Sequence, residues 1–297
     1  MNQHSERWTI RRVVKWSADD FASRGIESAR LDAELLVAHA LGLDRVKLYM
    51  DLDRPLAPDE LTKIRELVLR RRKREPVAYI LGRREFFGRG FEVSPAVLIP
   101  RPDTETLIEA ALERLPEDAS GAVLDLCTGS GAIAVTLAAE RTGIEVDATD
   151  LSEAALEVAK KNASKLGVAE RVRFHHGDLF AALPSPREYA LIACNPPYIA
   201  EHERATLAPD VAQHEPGMAL FSGPEGLDVL HRLCAEAPKW LAPGASILIE
   251  VGAGQAPAVI ALLERAGLVE GRAHQDLGGH ERVVEARRAR SGSRAAT

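Results

Sequence analysis

Beyond Gly121 short apolar runs alternate with amphipathic stretches of helical length. The runs at 122–126, 144–149, 172–175, 189–194, 246–251 and 282–286 predict strands, and the stretches at 132–140, 153–166, 226–241 and 257–266 predict helices. Apolar strands separated by helices pack into an open, mostly parallel sheet covered on both faces, so the expected class is α/β. Ligands in such sheets bind beyond the carboxyl ends of the strands, where the strand order reverses.

The first strand of the series runs into Asp125, Leu126, Cys127, Thr128, Gly129, Ser130 and Gly131, and then into a helix. The glycines allow backbone to approach a ligand closely, and with Ala134 they satisfy the loose dinucleotide fingerprint. Asp150 ends the next strand, where a carboxylate accepts both ribose hydroxyls of an adenosine. This geometry suits S-adenosylmethionine as well as a nicotinamide or flavin cofactor. Asn195, Pro196, Pro197 and Tyr198, at the end of the fourth strand, separate the two. Successive prolines fix φ and remove two N–H donors, so the Asn195 side-chain oxygen and the Pro196 carbonyl accept without competing donors beside them. The turn is built to hold an NH2 group, with Tyr198 as a flat ring against which a planar amide or base lies. Asp178, after the third strand, either meets the adenine amino group or caps a turn.

Residues 1–75 read as helices only, with Ile10, Val13, Val14 and Phe21, then Leu31, Leu35 and Leu36, then Leu61, Ile64, Leu67 and Val68 at near-helical spacing. The basic run Arg70, Arg71, Arg72, Lys73 and Arg74 ends the last helix. It is either a solvated end that complements the helix dipole or a contact for an acidic or RNA-bearing partner. From Tyr79 to Ile99 the period becomes strand-like, a hairpin connector turning near Gly88 and Gly90. Pro100, Arg101 and Pro102 then open a helix with Asp103 and Glu105 in its first turn.

Composition narrows the function. A formal charge of −6 and few aromatic residues (7 Phe, 4 Tyr, 3 Trp) argue against stable nucleic-acid binding. No apolar run has the length of a membrane span, and Met1 to Arg7 lack an apolar core, so a cytoplasmic location is expected. Cys127, Cys194 and Cys234 are widely spaced, which gives neither a disulfide framework nor a zinc signature and marks them as small core residues. His175 and His176 point to opposite faces of a strand, so no metal site is expected.

These residues carry a resemblance. The chain resembles the peptide chain release factor glutamine N5-methyltransferases through Ala29-Arg-Leu-Asp-Ala-Glu-Leu-Leu, Glu75-Pro-Val-Ala-Tyr-Ile-Leu-Gly-Arg-Arg-Glu-Phe-Phe-Gly, Leu98-Ile-Pro-Arg-Pro-Asp-Thr-Glu, the glycine loop, Asn195-Pro-Pro-Tyr-Ile, Glu215-Pro and Glu281-Arg-Val-Val. The resemblance implies a class I Rossmann-like methyltransferase domain at 101–287, a helical substrate-recognition domain at 1–75, a β-hairpin connector at 76–100 and a flexible tail at 288–297. It implies transfer of methyl from S-adenosylmethionine to the glutamine amide of a release factor's Gly-Gly-Gln motif. In that family the cofactor lies over the segment here formed by Cys127, Thr128, Gly129, Ser130 and Gly131, with Asp150, Leu179 and Asn195 at matching positions, and Asn195 to Tyr198 grip the glutamine. Cys127 stands where the family usually has glycine, as in the sister enzymes that methylate ribosomal protein L3, and Leu179 replaces an aromatic of some members. Arg101 to Glu105 favour the release factor enzyme. The alternatives are the L3 enzyme, an exocyclic-amine methyltransferase on DNA or RNA, and a non-catalytic cofactor-binding module.

Overall fold

The computed structural model describes residues 7–290; residues 1–6, and 291–297 of the tail, lie outside. The chain divides into two compact units, one reaching to Gly82 and including Ala208–His214, the other formed by Arg83–Leu207 and the chain from Glu215 onward.

The first unit is helical: α1 (Ile10–Ser23), α2 (Ala29–Leu41), α3 (Arg45–Met50), α4 (Pro58–Arg72) and α5 (Val77–Leu81), joined by a later helix, α9 (Pro209–His214). Thr9 caps α1 by accepting from the Arg12 N–H, and Glu60 reaches back from the first turn of α4 to the Ala57 N–H at 2.9 Å. Ile10, Phe21, Leu36, Val37, Ile64 and Val68 converge in its core. The strand-like reading from Tyr79 fails here. Pro76 starts a helix, Tyr79 and Ile80 are buried, and Gly82 at φ 69° closes it, so burial of the apolar stretch outweighs its β propensity.

The arginines of the basic run pair inside this unit. Arg71, 3% exposed, lies between Asp32 at 2.7 Å and Asp210 at 2.6 Å. Arg70 pairs with Glu75, Arg72 with Asp20 and Arg74 with Asp210, while the Lys73 carbonyl accepts from His214. These cations tie residues distant in sequence together, which neither reading from sequence anticipates.

The second unit opens with the hairpin β1 (Arg83–Phe86) and β2 (Arg89–Glu92), turned by Phe87 and Gly88, both at positive φ as a two-residue turn requires. Then follow α6 (Glu105–Arg114), β3 (Gly121–Leu126), α7 (Ala132–Glu140), β4 (Ile144–Asp150), α8 (Glu153–Lys165), β5 (Val172–His176) and β6 (Tyr189–Cys194). The unit closes with α10 (Asp228–Glu236), β7 (Leu241–Glu250), α11 (Ala256–Arg265), β8 (Val269–Gln275) and β9 (Glu281–Arg287). The sheet order is β5-β4-β3-β6-β7-β9-β8, parallel through β7 and antiparallel at β9 and β8. Successive strand residues feed opposite cores, Val123 toward α6, α7 and α8, Leu124 toward α10 and α11.

Two elements depart from the sequence reading. The helix expected to Leu241 ends at Glu236, because Pro238 forces a 3-10 turn and β7 begins at Leu241. β8 is additional: an edge strand with Gly271 and exposed polar residues shows no apolar period.

Candidate active site

A cleft of about 320 Å³ opens at the carboxyl ends of β3, β4 and β6, where the order reverses about β3. Its floor is the glycine loop. Cys127 sits at φ 58°, Gly129 at φ 54° and Gly131 at φ 79°. At Gly129 a Cβ would meet nothing within 4 Å among the described residues, whereas at Gly131 it would stand 3.1 Å from the Ala159 Cβ on α8. Gly129 therefore gives a ligand room, and Gly131, which is not among the residues bordering the cleft, lets two helices approach. Thr128 and Ser130 border the cleft through a tightly held backbone: the Thr128 hydroxyl donates to Asp125 Oδ2 at 2.6 Å, and the Ser130 carbonyl accepts from Asn162 at 2.9 Å. Asp125 is fully buried, also accepts from the Ala134 N–H, and is pushed up to about 7 by burial.

Cys127 borders this cleft and, partly buried, also packs against the core cluster that holds Cys194 and Cys234. Its positive φ explains why glycine suits the position, since a side chain in the left-handed region costs about 1–2 kcal/mol. Glycine returns about 0.4–1 kcal/mol of that through the freer unfolded chain. Cys127→Gly is therefore expected to keep stability within about 1 kcal/mol of wild type, while the β-branched Cys127→Val loses about 2 kcal/mol or more. Urea midpoints of the two variants check this; equal stability would mean the loop relaxes out of the left-handed region.

The Asp150 carboxylate, at the end of β4, accepts from the Gly129 N–H through Oδ2 and the Ser152 N–H through Oδ1, each at 2.8 Å. Burial raises its pKa, and the two backbone donors work against the rise. Leu179, at φ 47°, is buried against the cleft wall. Asp178 stands at the rim, 47% exposed and paired with Arg232.

Opposite the glycine loop, Asn195 and Pro197 border the cleft, whereas Pro196 is buried and Tyr198 turns away. The Asn195 amide nitrogen donates to Thr104 Oγ1 at 3.3 Å, and the Tyr198 hydroxyl donates to Glu250 Oε1 at 3.3 Å. The turn is pinned from below: the Tyr198 carbonyl accepts from Gln255, and Gly226 packs so close that a Cβ there would lie 2.3 Å from this oxygen. Pro100 to Glu105 is anchored by Glu215, which accepts from Arg101 at 2.5 Å and from the Ile99 N–H at 3.3 Å.

Sequence reasoning missed Thr104, Asn162 and Glu250 as individual residues of the site. Thr104 and Glu215 lay within quoted motifs, which was the available signal. Asn162, fully buried, bonds Glu92 on both sides and the glycine loop, with no local signal. His175 bonds Asp147 and His176 the Leu151 carbonyl, on separate sides of β5. Among the described residues no group of three or more His, Cys, Asp or Glu is placed to hold a metal ion.

This sheet order, with a glycine loop, a strand-end carboxylate and the Asn195-Pro-Pro turn at one cleft, is that of a Rossmann-like methyltransferase. Residues 103–214 match the family profile described as methyltransferase small domain, and residues 12–82 that described as PrmC N-terminal domain. A crystal structure of a methyltransferase from Pyrococcus furiosus shares the fold at a TM-score of 0.50 and 17% identity, over 69% of this chain and 91% of that one. Release factor glutamine methyltransferases of Geobacter sulfurreducens and Bordetella pertussis are 45% and 48% identical. They cover 97% and 86% of this chain, and 99% and 93% of their own lengths are matched. The chain belongs to the release factor glutamine methyltransferase family.

Proposed function

We propose that this chain transfers a methyl group from S-adenosylmethionine to the side-chain amide nitrogen of the glutamine in the Gly-Gly-Gln motif of release factors. The observation that carries the reading is one cleft bordered by Gly129 and Asp150 on one side and Asn195 and Pro197 on the other. The cofactor fits the residues present: the open space at Gly129 admits a ligand, and the Asp150 carboxylate has lone pairs beyond its two backbone bonds for ribose hydroxyls. It supplies a methyl group on a positively charged sulfur.

The chain's part is positioning. An amide nitrogen is a weak nucleophile because its lone pair is delocalised. The Asn195 side-chain oxygen and the Pro196 carbonyl accept its two protons, which orients the lone pair and favours charge developing on nitrogen. In the transfer the amide nitrogen would bond the methyl carbon as the C–S bond breaks, the sulfur leaving with the electron pair as a neutral thioether and the amide nitrogen passing one proton to solvent. Residues 1–75 supply the wider surface by which a release factor is told from other glutamine-bearing proteins. Arg70, Arg71, Arg72 and Arg74 each face a carboxylate of the same unit, which offsets much of the charge the basic run would bring to that surface. No helix among the described residues is long and apolar enough to cross a membrane.

Incubating the protein with labelled S-adenosylmethionine and, separately, release factor, ribosomal protein L3 and oligonucleotides tests the reading. The expected result is label in release factor, located by mass spectrometry on the Gly-Gly-Gln glutamine. Label only in L3 or only on an exocyclic base amine replaces the proposed substrate.

A further inference from the structure

An asparagine side chain presents an oxygen at one end and an NH2 group at the other in nearly the same shape, and only one orientation serves an amide clamp. With the oxygen toward the substrate NH2 the two attract; with the nitrogen there, two donors face each other. Something in the protein has to choose.

The choice is written in the contacts of Asn195. Its nitrogen donates to Thr104 Oγ1. A hydroxyl has a single proton, so Thr104 accepts in a well-defined way only when its own proton is directed elsewhere. The buried acceptor beside it is Glu250, 2% exposed at the end of β7, which receives the Tyr198 hydroxyl on Oε1. Glu250 Oε2 has no hydrogen-bond partner among the described residues. A buried carboxylate with an unmet oxygen is costly to the fold, so its place beside the turn calls for a functional account.

We propose that Thr104 and Glu250 position the Asn195 amide: the carboxylate draws the Thr104 proton inward, the Thr104 oxygen holds the Asn195 nitrogen, and the Asn195 oxygen is left facing the substrate amide. The same carboxylate holds Tyr198, so both ends of Asn195-Pro-Pro-Tyr198 are referred to one buried group. The inference rests on the amide-clamp reading of Asn195 and gives Pro100-Arg-Pro-Asp-Thr-Glu a task, with Arg101 and Glu215 fixing the segment that delivers Thr104. Burial pushes Glu250 up to about 7, Thr104 and Tyr198 favour its ionised form, and the charges facing it are Asp103, which raises its pKa, and Arg282, which lowers it.

The test compares kcat at saturating substrates with S-adenosylmethionine affinity by calorimetry, in variants whose folding is checked by thermal melting. Thr104→Val, which keeps the shape and removes the acceptor, is expected to lower kcat about tenfold and leave cofactor affinity within about twofold of wild type. Thr104→Ser is expected to stay within about threefold of the wild-type kcat. Glu250→Met should behave as Thr104→Val does, and Glu250→Gln, which keeps an acceptor oxygen, should lose less. A folded Thr104→Val or Glu250→Met with the wild-type kcat overturns the proposal, as does a serine or glutamine variant no better than its apolar counterpart. If Thr104→Val does not fold, the Glu250 pair decides. Loss in Asn195→Ala without loss in Thr104→Val refutes the positioning role alone, whereas an unimpaired Asn195→Ala refutes the clamp reading beneath it.

Discussion

Asn195→Ala is expected to lower kcat for release factor methylation by about 100-fold or more, the scale of losing one preorganised polar contact to a reacting group. The loss falls on turnover because the Asn195 oxygen meets an amide whose nitrogen becomes more positive as the bond to methyl forms, so the contact strengthens in the transition state. Pro196 and Pro197 offer no N–H that competes for the acceptors, and with their φ fixed the turn cannot easily move another group into the gap. The fold should hold, since Asn195 is half-buried and its side chain makes a single hydrogen bond among the described residues, to Thr104. Cofactor affinity should fall much less than turnover. Single-turnover methylation of release factor measures the first and calorimetry the second; a folded variant that methylates at the wild-type rate removes Asn195 from the chemistry.

Asp150→Ala is expected to weaken S-adenosylmethionine binding by about 1.5–3 kcal/mol, because bonds from ribose hydroxyls to a charged acceptor are lost. That corresponds to roughly 10- to 150-fold in affinity. Part of the loss comes from the protein, since the carboxylate also holds the Gly129 and Ser152 N–H groups, and the loop that floors the cleft loosens without it. Asp150→Asn keeps the shape but not the charge and should fall between. The pH dependence follows from burial, which raises the Asp150 pKa above the ordinary 3.8, with His176 opposing the rise. Affinity in the wild type should therefore decline as pH falls through this raised value, because protonation removes the charged acceptor. The asparagine variant should lack that decline. Calorimetric titrations at a series of pH values check both; unchanged affinity in folded Asp150→Ala would place the ribose elsewhere.

Arg71 has a different character in the sequence and in the folded chain. In sequence it is one of five consecutive cations, and nothing local distinguishes it from a solvated helix end. In the folded chain it is buried between Asp32 and Asp210, residues 39 and 139 positions away. The partners of the run are fixed by which helices meet, and that is a property of the packed core and not of the run itself.

What the sequence by itself determined is whatever depends on neighbouring residues. Period and length alone mark β3, α7, β4 and α8, because apolar spacing dictates which face a strand or helix buries. The glycine loop and Asn195-Pro-Pro-Tyr198 are contiguous, and their backbone chemistry is set by the residue types, so their ligand class could be read directly. Asp150 needed only the end of a predicted strand. The tertiary structure decided what depends on distant segments: β8, a polar edge strand held by pairing with β9; Asn162, joining hairpin and glycine loop; Glu215 beneath Arg101; and Thr104 and Glu250 about the Asn195 turn. Thr104 and Asn195 are 91 residues apart, and Tyr198 and Glu250 are 52 apart. The second exists because the parallel order brings the ends of β6 and β7 side by side, the first because the turn before α6 packs at the end of β6, and a hydrogen bond acts over about 3 Å whatever the separation along the chain.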